Sequence, residues 1–228
     1  MASSDKTDAL RRQIRELVTA YVHEAFPARS FEPGRSRVQY AGRVFDEREL
    51  CAMVDAVLDF WLTLGRCGRE FEQGLASWLG LSDAILVNSG SSANLLATAT
   101  LCARQVRDRL RPGDEVITPA VTFPTTVAPL TLYGLVPVFV DCELGTYNLD
   151  VSQLEAACSP KGRAIVIPHT LGNPCDMDAV MAFAKRHGLY VVEDNCDALG
   201  SRYRGRLTGT FGHLATISFY PAHHITMG

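Results

Sequence analysis

Two adjacent histidines, His223 and His224, are the residues in this sequence best suited to proton transfer. They follow residues 214–219, an apolar segment that predicts a buried strand. Imidazole is the side chain whose ordinary pKa lies nearest neutrality, so a histidine on a turn after such a strand can take up or release a proton. Two polar loop residues would give the same pattern, and the surrounding elements must decide between these interpretations.

A glycine- and serine-rich turn at residues 88–94 is a second candidate. Gly90, Ser91 and Ser92 stand between a predicted strand and a predicted helix. Free N–H groups and hydroxyls converge at the positive end of such a helix, which favours a bound phosphate. An ordinary capped strand-to-helix turn is the alternative, because the spacing is neither that of a Walker loop nor that of a dinucleotide-binding turn.

Acidic and aromatic residues follow other predicted strands. Glu193 and Asp194 lie at the end of an apolar segment, where a buried carboxylate requires a cationic partner. A protonated pyridine nitrogen would serve, and so would a salt bridge to Arg202. Phe123 follows another strand and can either stack on a flat ring or belong to the core. His169 supplies a further polar group or caps a turn.

Short apolar strands alternate with helices over most of the chain. Strands are predicted at residues 84–87, 115–118, 137–140, 164–168, 190–193 and 214–219, helices at 92–109, 124–133, 152–158 and 176–187, and a hairpin at 203–211. The strands lack polar alternation, which is typical of a sheet buried on both faces. The pattern therefore predicts an α/β domain with a mostly parallel sheet, and such sheets bind ligands at the carboxyl ends of their strands. Three helices precede it, at residues 8–26, 46–64 and 70–79, with a connector at 27–43.

Composition excludes several classes of function. The chain has 228 residues, 47% of them hydrophobic, and a net charge of −3, so it can bury a large core and has no basic surface for nucleic acid or membrane lipid. No segment has the length and apolarity of a signal peptide or a membrane span, so we expect a cytoplasmic location. The 7 cysteines contain no Cys-x-x-Cys pair, and the three lysines are Lys6, Lys161 and Lys185.

The order of these motifs resembles the DegT/DnrJ/EryC1/StrS family of sugar aminotransferases. The resemblance covers residues 45–228 and includes Trp61-Leu62-Thr63-Leu64-Gly65 followed by Phe71-Glu72. It implies the three-layer fold type I of pyridoxal-phosphate-dependent transferases, with a large domain like that of aspartate aminotransferase. Residues 1–45 would form an N-terminal helix and connector, and residues 46–228 a cofactor-binding large domain that continues in the family beyond Gly228.

The resemblance also implies a chemistry. In the family, the position of His223 carries the lysine that links covalently to pyridoxal phosphate. The replacement of this lysine by histidine resembles the 3-dehydrases of deoxysugar synthesis. Residues 193–200 and 218–228 closely resemble the CDP-4-keto-6-deoxyglucose 3-dehydrase branch of that group. The cofactor would then be pyridoxamine phosphate, and the reaction would remove the C3 hydroxyl of a nucleotide-linked 4-keto-6-deoxyhexose, in 3,6-dideoxysugar and O-antigen synthesis.

Residue roles follow from the same resemblance. His223 would be the base and His224 a substrate contact or supporting group. Asp194 would pair with the pyridine nitrogen, Phe123 would stack on the ring, and Asp197 would lie near the 3′-oxygen of the cofactor. The phosphate would be bound by Gly90, Ser91, Ser92 and Ser218.

The CDP-sugar branch also implies electron-transfer partners. Cys196 matches one ligand of a [2Fe–2S] cluster whose other ligands lie beyond Gly228, so a cluster requires a C-terminal part. A flavin and iron–sulfur reductase and a homodimer are the expected protein partners. Two alternatives stay open at this point: a pyridoxal-phosphate-dependent nucleotide-sugar aminotransferase, and a non-catalytic fragment or interaction subunit.

Overall fold

A computed structural model describes residues 5–27, 30–38, 44–225 and 227, in two compact units. The first unit, Met1–Gln73, contains α1 (Asp5–Ala25) and α2 (Glu47–Asp59). Asp46 caps α2 through the Arg48 N–H, and the Glu49 side chain accepts from the Asp46 N–H, a reciprocal cap that fixes where the helix begins. Arg11 and Arg15 of α1 bind Asp59 and Asp55 of α2 at 2.7 and 3.2 Å. The helix α3 (Arg66–Leu79) crosses the boundary between the units.

The second unit, Gly74–Gly228, contains a five-stranded parallel sheet. Its elements are α4 (Gly90–Cys102), β1 (Glu115–Pro119), α5 (Pro124–Leu132), β2 (Val136–Val140), α6 (Leu154–Ala157), β3 (Gly162–Pro168), α7 (Met177–His187), β4 (Tyr190–Asp194), β5 (Arg202–Tyr203), β6 (Arg206–Leu207) and β7 (Leu214–Thr216). The strand order is β2-β1-β3-β4-β7, and β5 and β6 form a separate antiparallel pair. The predicted fold class is confirmed.

Alternate residues of the central strands face two separate cores. Ile165 and Ile167 of β3 pack with α7 side chains such as Val180, whereas Val166 packs on the other face with Leu101 of α4 and Leu130 of α5. Both faces of β3 are therefore covered, which explains the continuous apolar sequence of the strand. Helix, sheet and helix form the three layers expected of this fold.

The predicted strand at residues 84–87 is not present. The segment pairs with none of the strands that the structure describes, and the Ile85 side chain is 73% exposed. An apolar segment forms a strand only when a neighbouring strand accepts its hydrogen bonds, and sequence pattern does not reveal whether one is available.

Other predicted boundaries shift by several residues. The helix predicted at 92–109 ends at Cys102, and the helix predicted at 46–64 ends at Asp59, where Phe60 adopts a left-handed conformation with φ 48°. Strand β7 ends at Thr216 rather than at residue 219. Ser218 and the residues after it are thereby released into the loop that carries the histidines.

The division of the chain into two compact units falls between Gln73 and Gly74. The domain boundary that the sequence places at residue 45 stays a prediction. Residues 28–29 and 39–43 of the predicted connector lie outside the described residues. Within the described part of the chain, no helix combines the length and apolarity needed to cross a membrane.

Candidate active site

The glycine- and serine-rich turn forms the N-terminus of α4. Ser89 caps the helix, its Oγ accepting from the Ser92 N–H at 3.1 Å. The N–H groups of Gly90 and Ser91 belong to the first helical turn, which has no preceding carbonyls to bind. Ser91 Oγ donates to Thr125 Oγ1 at 3.1 Å and so joins this turn to the start of α5. Ser92 is engaged in the cap, and its role in phosphate binding stays a prediction.

Gly90 lies where a side chain cannot fit. A Cβ at this position would stand 2.6 Å from Ser218 Cβ and 3.0 Å from Cys196 Sγ. The turn after β4, the loop after β7 and the start of α4 therefore meet at Gly90. The Ser218 Oγ accepts from the Tyr220 N–H at 3.2 Å, and its hydroxyl can still donate a hydrogen bond. Backbone N–H groups and this hydroxyl together suit a phosphate.

Asp194, at the end of β4, is held by side chains from two helices. Its Oδ2 accepts from Asn94 Nδ2 at 2.8 Å and from Thr126 Oγ1 at 2.7 Å. The Asn94 Oδ1 in turn accepts from Thr216 Oγ1 at 2.6 Å. Asp194 is only 5% exposed. The sequence predicted the carboxylate, but not the residues that fix it.

Glu193 is directed away from Asp194 and has a structural role. Its two oxygens accept the N–H groups of Gly209, Phe211 and Gly212 at 2.6–2.7 Å, and His169 Nε2 donates at 3.0 Å. Burial alone would raise the pKa of Glu193, but the hydrogen bonds from His169, Gly212 and Gly209 outweigh burial and hold it below its usual range.

His169 is fully buried, and its hydrogen bonds fix its tautomer. The Cys175 N–H donates to Nδ1 at 3.1 Å, so Nε2 carries the proton that Glu193 accepts. Arg202, considered above as a partner for the acidic residues, instead donates to the Gly205 carbonyl at 2.7 Å.

The two histidines lie at the same edge of the sheet. His223 Nδ1 is 3.0 Å from Asp197 Oδ1, and the His223 side chain is 18% exposed. The His224 ring lies beside Gly172 in the turn after β3, with Cε1 3.6 Å from where a Gly172 Cβ would stand. That same position is 3.1 Å from the Asp197 carbonyl oxygen, so Asp197, Gly172 and His224 are neighbours.

Phe123 is 66% exposed and therefore does not belong to the core. It precedes α5 and lies two residues before Thr125, the partner of Ser91. Thr125 and Thr126 of the same segment bind Ser91 and Asp194, so the exposed ring is available to stack on a flat ligand held by them.

Pyridoxamine phosphate fits these residues. The Asp194 Oδ1 has a long contact of 3.3 Å from the Cys196 N–H, which leaves it able to accept a proton donor such as a pyridinium. The N–H groups of Gly90 and Ser91 would be available to the phosphate, and the exposed ring of Phe123 to a face of the pyridine.

The residues that the structure describes do not complete an iron–sulfur cluster by themselves. No group of three or more His, Cys, Asp or Glu side chains among them could hold a metal ion. Burial and the negative charge of Asp194 raise the pKa of the Cys196 thiol. The cluster, whose other ligands the resemblance places beyond Gly228, stays a prediction.

Three residues of the site were missed at the sequence level: Asn94, Thr126 and Thr216. Asn94 gave the clearest signal in the sequence, since it is a polar residue in a largely apolar helix. The structure shows it to be only 5% exposed. Its partner Asp194 lies 100 residues away in sequence, which spacing cannot reveal.

Known proteins resemble the chain over nearly its whole length. The lipopolysaccharide biosynthesis protein RfbH of Salmonella typhimurium is 50% identical over 96% of this chain and 50% of its own length. The dTDP-4-dehydro-2,6-dideoxy-D-glucose 3-dehydratase of Saccharopolyspora spinosa is 53% identical, over 90% of this chain and 45% of its own. The crystallised GDP-4-keto-6-deoxy-D-mannose-3-dehydratase of E. coli with bound hydrated PLP superimposes with a TM-score of 0.79 at 35% identity, over 82% of this chain and 48% of that one.

The chain thus spans about half the length of these relatives. The DegT/DnrJ/EryC1/StrS aminotransferase family matches residues 45–228, which include every residue of the candidate site. The chain belongs to the DegT/DnrJ/EryC1/StrS aminotransferase family.

Proposed function

We propose that this chain carries the cofactor-binding and proton-transfer part of a 3-dehydratase that uses pyridoxamine phosphate and acts on a nucleotide-linked 4-keto-6-deoxyhexose. The observation that carries the proposal is the His223–Asp197 pair, at 3.0 Å, in the position where the family resemblance expects a lysine. Two of the similar proteins reported above are named as sugar 3-dehydratases, which supports the same reaction class.

His223 would act as the base. Asp197 Oδ1 lies 3.0 Å from Nδ1, so a proton on Nδ1 would face the carboxylate and the Nε2 lone pair would be left to take another. A carboxylate that orients an imidazole and stabilises the imidazolium is a recurrent arrangement in proton transfer. The low exposure of His223 limits competition from water.

The remaining residues would bind and orient the cofactor. When bound, pyridoxamine phosphate would supply an amine for the C4 ketone and a ring that stabilises the charge left by removal of a C4′ proton, a charge that the departing C3 hydroxyl carries away. Asp194 would accept the proton of the ring nitrogen, and Phe123 would stack on the ring face. The N–H groups of Gly90 and Ser91 and the Ser218 hydroxyl would hold the phosphate. His224, beside Gly172, would contact the substrate.

The nucleotide and the protein partners are predictions of the resemblance. The dehydratases reported above are named for dTDP- and GDP-sugars, whereas residues 193–200 and 218–228 favour CDP-4-keto-6-deoxyglucose. A flavin and iron–sulfur reductase, a homodimer and a cytoplasmic location complete the proposal. No step is assigned to an iron–sulfur cluster.

Substitution of His223→Asn tests the base. We expect the variant to bind pyridoxamine phosphate within about twofold of wild type, since its phosphate and ring contacts are intact. Exchange of the cofactor C4′ proton with deuterium, followed by NMR in the presence of CDP-4-keto-6-deoxyglucose, should fall at least about 100-fold. His187→Asn, in the last turn of α7, is the matched histidine control and should exchange at the wild-type rate. Undiminished exchange in His223→Asn would remove His223 from the mechanism.

A further inference from the structure

Asp194 has two oxygens with different surroundings. Oδ2 accepts two short hydrogen bonds, from Asn94 Nδ2 at 2.8 Å and Thr126 Oγ1 at 2.7 Å. Oδ1 has the long 3.3 Å contact from the Cys196 N–H. A carboxylate with one oxygen saturated and the other available cannot rotate freely, so its available oxygen is aimed in one direction.

The orientation of the Asn94 amide is itself determined. Thr216 Oγ1 lies 2.6 Å from Asn94 Oδ1 and donates to it, which turns the Nδ2 group toward Asp194. Asn94, Thr126 and Thr216 are 5%, 2% and 3% exposed, so water does not compete for these hydrogen bonds. The hydrogen bonds lead from Thr216 of β7 to Asn94 of α4 and from there to Asp194 of β4. Thr126 of α5 adds a further hydrogen bond to Asp194.

We propose that Asn94 and Thr126 are positioning residues that occupy Asp194 Oδ2 and so direct Oδ1 at the ring nitrogen of bound pyridoxamine phosphate. The inference rests on the proposed function and deepens it. A buried amide and hydroxyl with only a structural role would stabilise the fold and leave the ring nitrogen unaffected. Positioning residues change the hydrogen bond at that nitrogen as well.

The test uses pyridoxamine phosphate labelled with 15N in the ring. Wild type is expected to show the resonance of a protonated, hydrogen-bonded ring nitrogen. Asn94→Leu and Thr126→Val remove one donor each and keep the number and branching of the side-chain heavy atoms. In both, the resonance should move toward that of a neutral pyridine, and the Kd of the cofactor should rise about tenfold.

Two further variants separate positioning from packing. Thr98→Val removes a buried hydroxyl one turn along α4 that donates to the Asn94 carbonyl at 3.0 Å, and it should keep the wild-type resonance and Kd. Thr126→Ser retains the hydroxyl and should restore both. Thr126→Val carries the test if Asn94→Leu does not fold.

The outcomes distinguish this inference from the proposed function. If wild type shows the protonated resonance and both donor variants, folded by circular dichroism, keep it with an unchanged Kd, the positioning role is wrong and the function stands. If Thr98→Val changes the 15N resonance and the Kd as much as the donor variants do, loss of packing explains the changes. That result would also overturn the positioning role of Asn94 and Thr126. Absence of cofactor binding by wild type would overturn the proposed function and this inference together.

Discussion

At the scale of single residues, the absence of a side chain at Gly90 allows the start of α4 and the loop after β7 to approach each other. Gly90→Ala would place a Cβ 2.6 Å from Ser218 Cβ, so either the helix start or the loop after β7 must move. We expect a loss of about 1–3 kcal/mol in the free energy of unfolding and weaker binding of pyridoxamine phosphate. Urea unfolding and a cofactor titration measure the two effects.

Gly74 supplies the matched control for Gly90→Ala. It lies within α3, and no atom stands within 4 Å of where its Cβ would be. Gly74→Ala should therefore stabilise the protein by up to about 1 kcal/mol, through helix propensity alone. Equal effects of the two substitutions would show that the close approach at Gly90 has no energetic weight.

Residue chemistry could be predicted where it depends on residue type at a strand end. Phe123 follows β1, Asp194 stands at the end of β4, and His223 lies in the loop after β7, as predicted. Gly90 was predicted to follow a strand at residues 84–87 that the structure does not contain.

Pairing could not be predicted in the same way. Which of two adjacent carboxylates faces α4 and α5 depends on the alternation of β4. Asp194 accepts from Asn94 and Thr126, whereas Glu193 accepts from the loop after β6.

At the scale of elements, Glu193 of β4 binds the loop after β6 through hydrogen bonds from three N–H groups of that loop. Glu193→Gln would place an amide NH₂ group against N–H donors that now bind a carboxylate oxygen. His169 cannot relieve the conflict, because its Nδ1 already accepts from Cys175. We expect a loss of about 2–4 kcal/mol in the free energy of unfolding, measured by urea denaturation at pH 7.

Acid should remove the same contribution from the wild type. Because the folded pKa of Glu193 lies below its usual value of 4.5, its stabilising effect is complete above that value and is lost as the pH falls through the folded pKa. The wild-type free energy of unfolding should fall more steeply below about pH 4.5 than that of Glu193→Gln. Glu16→Gln, at an exposed position of α1, is the control and should follow the wild-type curve. Parallel curves for wild type and Glu193→Gln would contradict this account.

Elements were predictable where their partners are local. The helices between strands and the parallel strands themselves follow from apolar pattern and capping residues such as Asp176, whose Oδ1 accepts from the Ala179 N–H at 3.1 Å. The segment at residues 84–87 has the composition of a strand, yet a strand is defined by its neighbour as much as by its own residues. Whether residues 84–87 form a strand therefore depends on which other strands lie beside them in the sheet, and their own composition does not contain that information.

At the scale of the whole molecule, the distribution of lysine separates the two enzymatic interpretations. Lys161 precedes β3, at the amino edge of the sheet, and Lys185 lies in the last turn of α7. Lys6 belongs to α1 in the other compact unit. The site residues lie instead at the carboxyl edge, where His223 stands in the loop after β7. An aminotransferase of this family would need a lysine amine at that edge.

Reduction with borohydride in the presence of pyridoxal phosphate tests this distribution directly. We expect wild type to gain no stoichiometric adduct, because His223 stands where the family has its lysine and neither Lys161 nor Lys185 lies at the carboxyl edge of the sheet. His223→Lys supplies that amine and should gain one reduced cofactor, located by peptide mass spectrometry at residue 223. The pair of samples shares every other lysine, so incidental surface labelling cancels between them. A stoichiometric adduct on Lys161 or Lys185 of the wild type would favour the aminotransferase and contradict the dehydratase.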